Sequence, residues 1–184
     1  MKQIIFITSN KHKVREANKI GKSFGVEFKQ KFFSYPEIRA DSVNDVAKEG
    51  AKYCYEKLRK ALIVEDSGLF INALNKFPGT YSKFVLGKIG LDGILRLMQN
   101  KKDRTAFFVS SVGFADKNQI KTFNGVVKGK IAKKIRGSCG FGYDPVFIPN
   151  GFRKTYGEDD KIKNKTSHRF KSITKFCKWY HKYS

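Results

Sequence analysis

The chain has 184 residues, 40% of them hydrophobic and 14% aromatic, which is enough apolar material for one sizeable core, so residues 1–184 are expected to form a single domain. No apolar stretch approaches the roughly 20 residues of a membrane span, and Met1–Ser9 is too short for a secretion signal, so a cytoplasmic protein without a membrane partner is expected. A formal charge of +22, from 38 Lys and Arg against 16 Asp and Glu, predicts attraction to polyanions at low salt, whether a nucleic acid or a small phosphorylated substrate.

Ile4–Ile7 is a short β-branched run closed by Thr8-Ser9-Asn10, after which Val14, Ala17, Gly21 and Phe24 recur at helical spacing. Val46, Gly50, Cys54 and Leu58 share one stripe and predict a second helix over 46–58, followed by a buried strand over 61–64. Phe77-Pro78-Gly79 marks a loop, and Leu91, Ile94, Leu95 and Met98 predict an amphipathic helix after Gly90. Two β-rich runs, 106–115 and 119–131, meet at Asp116-Lys117-Asn118 as an antiparallel hairpin. A short strand over 146–148, a polar stretch over 150–166 and a last helix carrying Phe170, Ile173, Cys177 and Tyr180 complete the chain. Alternating helices and strands with one hairpin predict an α/β fold on a mixed sheet. Cys54, Cys139 and Cys177 are far apart and lack Cys-x-x-Cys spacing, which suggests neither a disulfide framework nor a zinc site.

Open α/β sheets bind ligands beyond the carboxyl ends of their strands, which singles out two loops. Thr8, Ser9 and Asn10 carry groups that bond phosphate oxygens, and Lys11, His12 and Lys13 enter the following helix, whose free N–H groups attract anions. The same residues also suit an N-cap by Ser9 or Asn10 followed by solvated lysines. Asp66 follows the strand over 61–64 and precedes Ser67-Gly68, so it either places a carboxylate at the same rim or caps the turn there. In Gly140-Phe141-Gly142-Tyr143-Asp144-Pro145 two glycines frame an aromatic, a loop that suits stacking on a flat ring or an ordinary turn over a buried Phe141. His168 and Arg169 open the last helix, where the macrodipole disfavours cations; an anionic ligand would offset them, unless they merely reflect the charge of +22. No Walker loop, dinucleotide fingerprint, helix-turn-helix or zinc-finger pattern is present.

Five blocks, in order, resemble the inosine triphosphate pyrophosphatase family. They are Thr8-Ser9-Asn10-Lys11-His12-Lys13 against the family's Thr-x-Asn-x-x-Lys, Val64-Glu65-Asp66-Ser67-Gly68-Leu69, Phe77 through Lys83, Gly140 through Pro145, and Lys163-Asn164 with Ser167-His168-Arg169. The resemblance implies a long, mixed and curved sheet flanked by helices, with a nucleotide cleft between two lobes, and a homodimer. It implies hydrolysis of non-standard purine nucleoside triphosphates to monophosphate and pyrophosphate. Thr8, Asn10, Lys13 and Lys83 would then serve the phosphates, Ser9, Lys11, His12 and Ser67 would bind the substrate with them, and Glu37 and Asp66 would serve a divalent metal, usually magnesium. Asp66 also matches the general base, and Phe141, Gly142, Tyr143, Asp144, Lys163, His168 and Arg169 the base pocket. Arg169 and His168 would favour the 6-oxygen of hypoxanthine and xanthine over the 6-amino group of adenine. Guanine shares that oxygen, so this contact alone does not reject it.

The chain departs from the family pattern in three places. Tyr156-Gly157-Glu158 stands for the usual Phe-Ala-Glu, the stretch 159–162 is about one residue short before Lys163, and one residue is extra near 41–44. Two other readings stay open: the same cleavage with another base preference, and a basic nucleic-acid-binding domain without catalysis.

Overall fold

The computed structural model describes residues 1–183. Its strands are β1 (Lys2–Ile7), β2 (Val26–Lys31), β3 (Leu62–Ile71), β4 (Pro78–Gly79), β5 (Thr105–Ala115), β6 (Ile120–Ile131) and β7 (Phe147–Pro149). Its helices are α1 (Lys11–Gly21), α2 (Val43–Leu58), α3 (Ser82–Leu97), α4 (Asp160–Thr166) and α5 (His168–Tyr183). The strands form one sheet in the order β2-β1-β3-β5-β6-β7, with β4 added to β3. Pairing of β1 with β2 and β3 is parallel, while β3–β4 and β6–β7 are antiparallel, so the sheet is mixed as the sequence predicts. Among the described residues no helix is long and apolar enough to cross a membrane.

Two compact units divide the chain: Met1–Asp66, Ser110–Gly125 and His168–Ser184 form the first, Ser67–Val109 and Val126–Ser167 the second. In the first unit, strand alternation sorts side chains onto two faces. Ile63, Val112 and Phe114 pack with Ala17 of α1 and Ile173, Phe176 and Cys177 of α5. Leu62, Val64 and Ala115 pack on the other face with Ala51 and Cys54 of α2. In the second unit Leu69, Ile71, Ala106, Phe108 and Val127 pack with Val85 and Ile94 of α3 and with Tyr143, Phe147 and Tyr156.

Five elements differ from the sequence expectation, the smallest being β4, whose two residues pair with β3 where the sequence marks a loop at Phe77-Pro78-Gly79. β2 was not anticipated, because half of its six residues are exposed and it pairs with β1 alone, which leaves little apolar pattern to read. β3 runs on to Ile71, well past the expected end at residue 64, so Asp66 lies within a strand and not in a loop after one. Gly68 does not turn the chain there: a Cβ on it would stand 2.3 Å from the Gly79 carbonyl oxygen, so the missing side chain admits β4 alongside β3. α3 begins at Ser82 and passes through a left-handed residue, Gly90 (φ 64°), before the stripe that sequence periodicity reveals. α4 occupies part of the stretch read as polar; Ile162 is its lone apolar residue, and its signal is the Asp159 carboxylate, which accepts the Lys161 N–H.

Candidate active site

In the first unit the loop after β1 builds a helix start. The Asn10 amide N–H donates to Thr8 Oγ1 (3.1 Å), and Asn10 Oδ1 accepts the His12 N–H (2.9 Å), so Asn10 and not Ser9 caps α1. Ser9, Lys11 and His12 are exposed. Lys13 points back to the sheet: its Nζ stands 2.9 Å from Glu65 Oε2 and donates to the Glu65 carbonyl oxygen at 2.8 Å.

Glu65 is the hub of this region. It lies on the α1 and α5 face of β3, only 4% exposed, where it accepts Ser110 Oγ at 2.6 Å and meets Arg169 Nη2 at 3.2 Å. Ser110 is joined in turn to Ser172 of α5 (2.8 Å). Arg169, 1% exposed, also pairs through Nη1 with Glu16 Oε2 of α1 at 2.8 Å. Burial by itself raises the Glu65 carboxyl, but Arg169, Lys13 and the Ser110 hydrogen bond outweigh it and hold the group well below the carboxylate range. For Arg169, burial disfavours the charge, and Glu65 and Glu16 more than reverse that effect. Lys13 near the start of α1 and Arg169 at the start of α5 are thus paired with two carboxylates of the chain itself, Glu65 and Glu16, where the sequence suggested an anionic ligand or the general charge of +22. His168, the first residue of α5, is buried beside Arg169 in sequence.

Asp66 follows Glu65 and therefore faces the α2 side, half-buried. Tyr35 reports on its surroundings: burial first, then Glu37, Cys54, Asp66 and Glu65, push its phenol well above the ordinary value. Glu37 is exposed on the irregular segment between β2 and α2. Among the described residues no group of three or more His, Cys, Asp or Glu could hold a metal ion. Magnesium takes one or two protein carboxylates and fills its remaining positions with phosphate and water oxygens, and Glu37 and Asp66 are carboxylates of the type it requires.

The second unit holds the glycine-rich loop. Gly140 (φ 78°) and Gly142 (φ 69°) take left-handed conformations that place the Phe141 N–H on Asp144 Oδ2 at 2.7 Å. Lys163 of α4 donates to the same oxygen at 2.7 Å, and its Nζ lies 4.1 Å from the Phe141 ring centroid. Both partners of this ion pair have side chains only 4% exposed. Tyr143 is core: its hydroxyl donates to the Ser82 carbonyl (2.7 Å), and burial raises its phenol. The neighbouring Ser82 hydroxyl accepts the Leu69 N–H and donates to the Gly79 carbonyl, fixing the start of α3; Lys83 next to it is exposed, and Ser67 is half-buried.

The structure thus gathers Lys13 and Arg169 around one carboxylate, Glu65, and Phe141 and Lys163 around another, Asp144. Glu65, Glu16 and Ser110 were missed in the sequence. A glutamate inside the apolar run that ends in Val64 needs a buried cation, and Lys13 and Arg169 were cations in want of a partner; joining those two facts would have found it.

The sequence profile of the Ham1 family matches residues 4–179. The chain is 46% identical over 182 residues to the dITP/XTP pyrophosphatase of Methanosarcina mazei, covering 98% of each chain. It is 45% identical over 178 residues to the protein of that name from Thermococcus kodakarensis, covering 96% of each. Among solved structures, the Staphylococcus aureus Ham1 protein superposes with a TM-score of 0.85 at 26% identity over the whole of both chains. The Coxiella burnetii HAM1 protein gives the same score and identity, covering 99% of this chain and 100% of that one. Over nearly its whole length, and in agreement with the resemblance carried by the five sequence blocks, the chain belongs to the Ham1 family.

Proposed function

We propose that this chain is a metal-dependent pyrophosphatase that cleaves non-standard purine nucleoside triphosphates, ITP, dITP and XTP, to the monophosphate and pyrophosphate. The observation that carries the reading is the pair of successive strand residues Glu65 and Asp66. The first is locked in an ion cluster with Lys13 and Arg169, and the second faces the α2 side, in a chain whose relatives are named dITP/XTP pyrophosphatases.

In this reading Thr8, Ser9, Asn10, Lys11, His12 and Lys13, with Ser67 and Lys83, bind the triphosphate. Asp66 accepts a proton from the water that attacks the α-phosphorus; the new P–O bond forms as the bond to the β-phosphate oxygen breaks, and pyrophosphate leaves with its charge met by Lys13 and Lys83. Glu37 and Asp66 would hold magnesium, which supplies further charge stabilisation to the phosphates. Phe141 stacks on the base, its N–H and the Lys163 ammonium already held by Asp144, while Gly142 and Tyr143 shape the loop. His168 and Arg169 discriminate the purine 6-oxygen from a 6-amino group.

Residues 1–184 act as one pyrophosphatase domain in this proposal, as a homodimer in the cytoplasm. Exposed Phe77, Tyr81, Phe84 and Ile89 of the second unit supply apolar surface for association, and light scattering measures the mass. The first test of the function is magnesium-dependent pyrophosphate release from inosine, xanthosine, guanosine, adenosine and cytidine triphosphates, compared by kcat/KM. Preference for the first two supports the reading. Release from none of them, with a salt-sensitive shift of nucleic acid on a gel, refutes it in favour of a basic binding domain.

A further inference from the structure

We propose that Glu65 is a positioning residue for this reaction: it holds the Lys13 ammonium with one N–H left for a substrate phosphate and ties that lysine to Arg169 through a single carboxylate. The inference rests on the phosphate role given to Lys13 above.

A lysine ammonium has three donors on a flexible four-carbon stem. Two directions are already set for Lys13, toward Glu65 Oε2 at 2.9 Å and toward the Glu65 carbonyl oxygen at 2.8 Å. The direction of the third N–H follows from those two. The Lys13 side chain is still 17% exposed, whereas the Glu65 side chain is wholly buried, so of the two it is the lysine that keeps an open side. Glu65 is itself immobilised from three sides. Ser110 of β5 holds Oε1 at 2.6 Å, Arg169 of α5 lies 3.2 Å from the same atom, and the residue is part of β3. Arg169 reaches on to Glu16, three residues beyond Lys13 on α1, so the helix that carries the lysine is tied at two points to one charge cluster. A lysine ordered in this way before binding loses less rotamer freedom when a phosphate arrives, and its charge meets the phosphate in one geometry.

The test is pyrophosphate release from ITP by the wild-type enzyme, Glu65→Gln, Lys13→Ala and the double variant. Glu65→Gln is expected to lower kcat/KM roughly 10- to 100-fold. In the Lys13→Ala background the same change is expected to cost less than about threefold more, since its effect runs through a group already removed. A purely structural role would instead multiply the two losses, and that result overturns the inference. Should Glu65→Gln fail to fold, Ser110→Ala removes one hydrogen bond from Glu65 and leaves every charge in place. It is expected to lower kcat/KM about three- to tenfold, again only when Lys13 is present. If Lys13→Ala is impaired while Glu65→Gln or Ser110→Ala matches the wild type, the positioning role falls and the phosphate reading survives. Wild-type rates in Lys13→Ala defeat both.

Discussion

Asp144→Ala tests how the glycine-framed loop around Phe141, proposed to bind the base, is held. The substitution removes the acceptor shared by the Phe141 N–H and the Lys163 ammonium, each 2.7 Å from Oδ2, and leaves the cation in a site where its side chain is 4% exposed. Removing one partner of a buried ion pair costs about 3–5 kcal/mol, chiefly because the remaining charge stays out of water. For a chain of this size each kcal/mol moves the midpoint roughly 2–4 °C, so a fall of about 6–20 °C is expected. Circular dichroism at 222 nm against temperature reads it. Lys163→Met in the same background removes the stranded charge and fills its space with an apolar side chain. The double variant should therefore recover at least half of the lost midpoint while kcat/KM for ITP stays low, since Phe141 has lost both its anchor and its cation. A fall of less than about 2 °C in Asp144→Ala would refute the reasoning, as would a double variant no more stable than the single one.

Asp66→Asn is expected to abolish pyrophosphate release while leaving the circular dichroism spectrum unchanged, because the amide keeps the shape and loses the basic oxygen; near-normal turnover would remove Asp66 from the mechanism. Arg169→Ala should lower kcat/KM for ITP more than for ATP, and equal losses would assign the guanidinium to its pairing with Glu16 and Glu65 alone. Glu65, held below its ordinary carboxyl value, contributes stability that is full above the unfolded value and is lost as pH falls through the folded one. Urea denaturation at pH 7 and at pH 3 should accordingly show a stability gap between wild type and Glu65→Gln that narrows at the lower pH, and a constant gap would contradict the charge argument. Ser111, fully buried with a hydroxyl that has no hydrogen-bond partner, should tolerate Ser111→Ala with an unchanged or higher thermal midpoint; a clear loss would point to a partner for that hydroxyl.

Periodicity revealed most of the helices and long strands because their stripes are buried. The apolar residues of α2, Val46, Gly50 and Cys54, and those of α5, Ile173 and Cys177, face the sheet as the spacing requires. β2 and α4 escaped because each buries few apolar side chains, two in β2 and none in α4, which leaves no pattern on which such a reading depends. Among the site residues, those in local motifs were legible: the Asn10 cap, the glycine-framed Phe141, and the lysine and arginine at helix starts. Partners distant in sequence were not. Lys163 and Asp144 were each singled out, but nothing in the spacing announces that they share an oxygen, nor that Arg169 reaches residue 16.

Glu65 and Asp66 differ in their surroundings for one physical reason. The sequence singles out Asp66 as a rim carboxylate after a strand and leaves Glu65 without a role. Because β3 continues through them to Ile71, the pleat sends them to opposite faces with different neighbours. The face toward α1 and α5 supplies Lys13, Arg169 and Ser110, which keep Glu65 ionised and fully engaged, so it is a poor candidate to accept a proton during turnover. On the face toward α2, Asp66 and Glu37 both add, after burial, to the rise of the Tyr35 phenol, and in the function proposed above this is the face that would hold a divalent cation and the general base. If that division holds, exchanging the two residues, Glu65→Asp with Asp66→Glu, keeps composition and net charge yet shifts both carboxylates along their stems. Activity in the exchanged protein should fall at least as far as in Glu65→Gln, and full turnover would mean that neither carboxylate is held to a position.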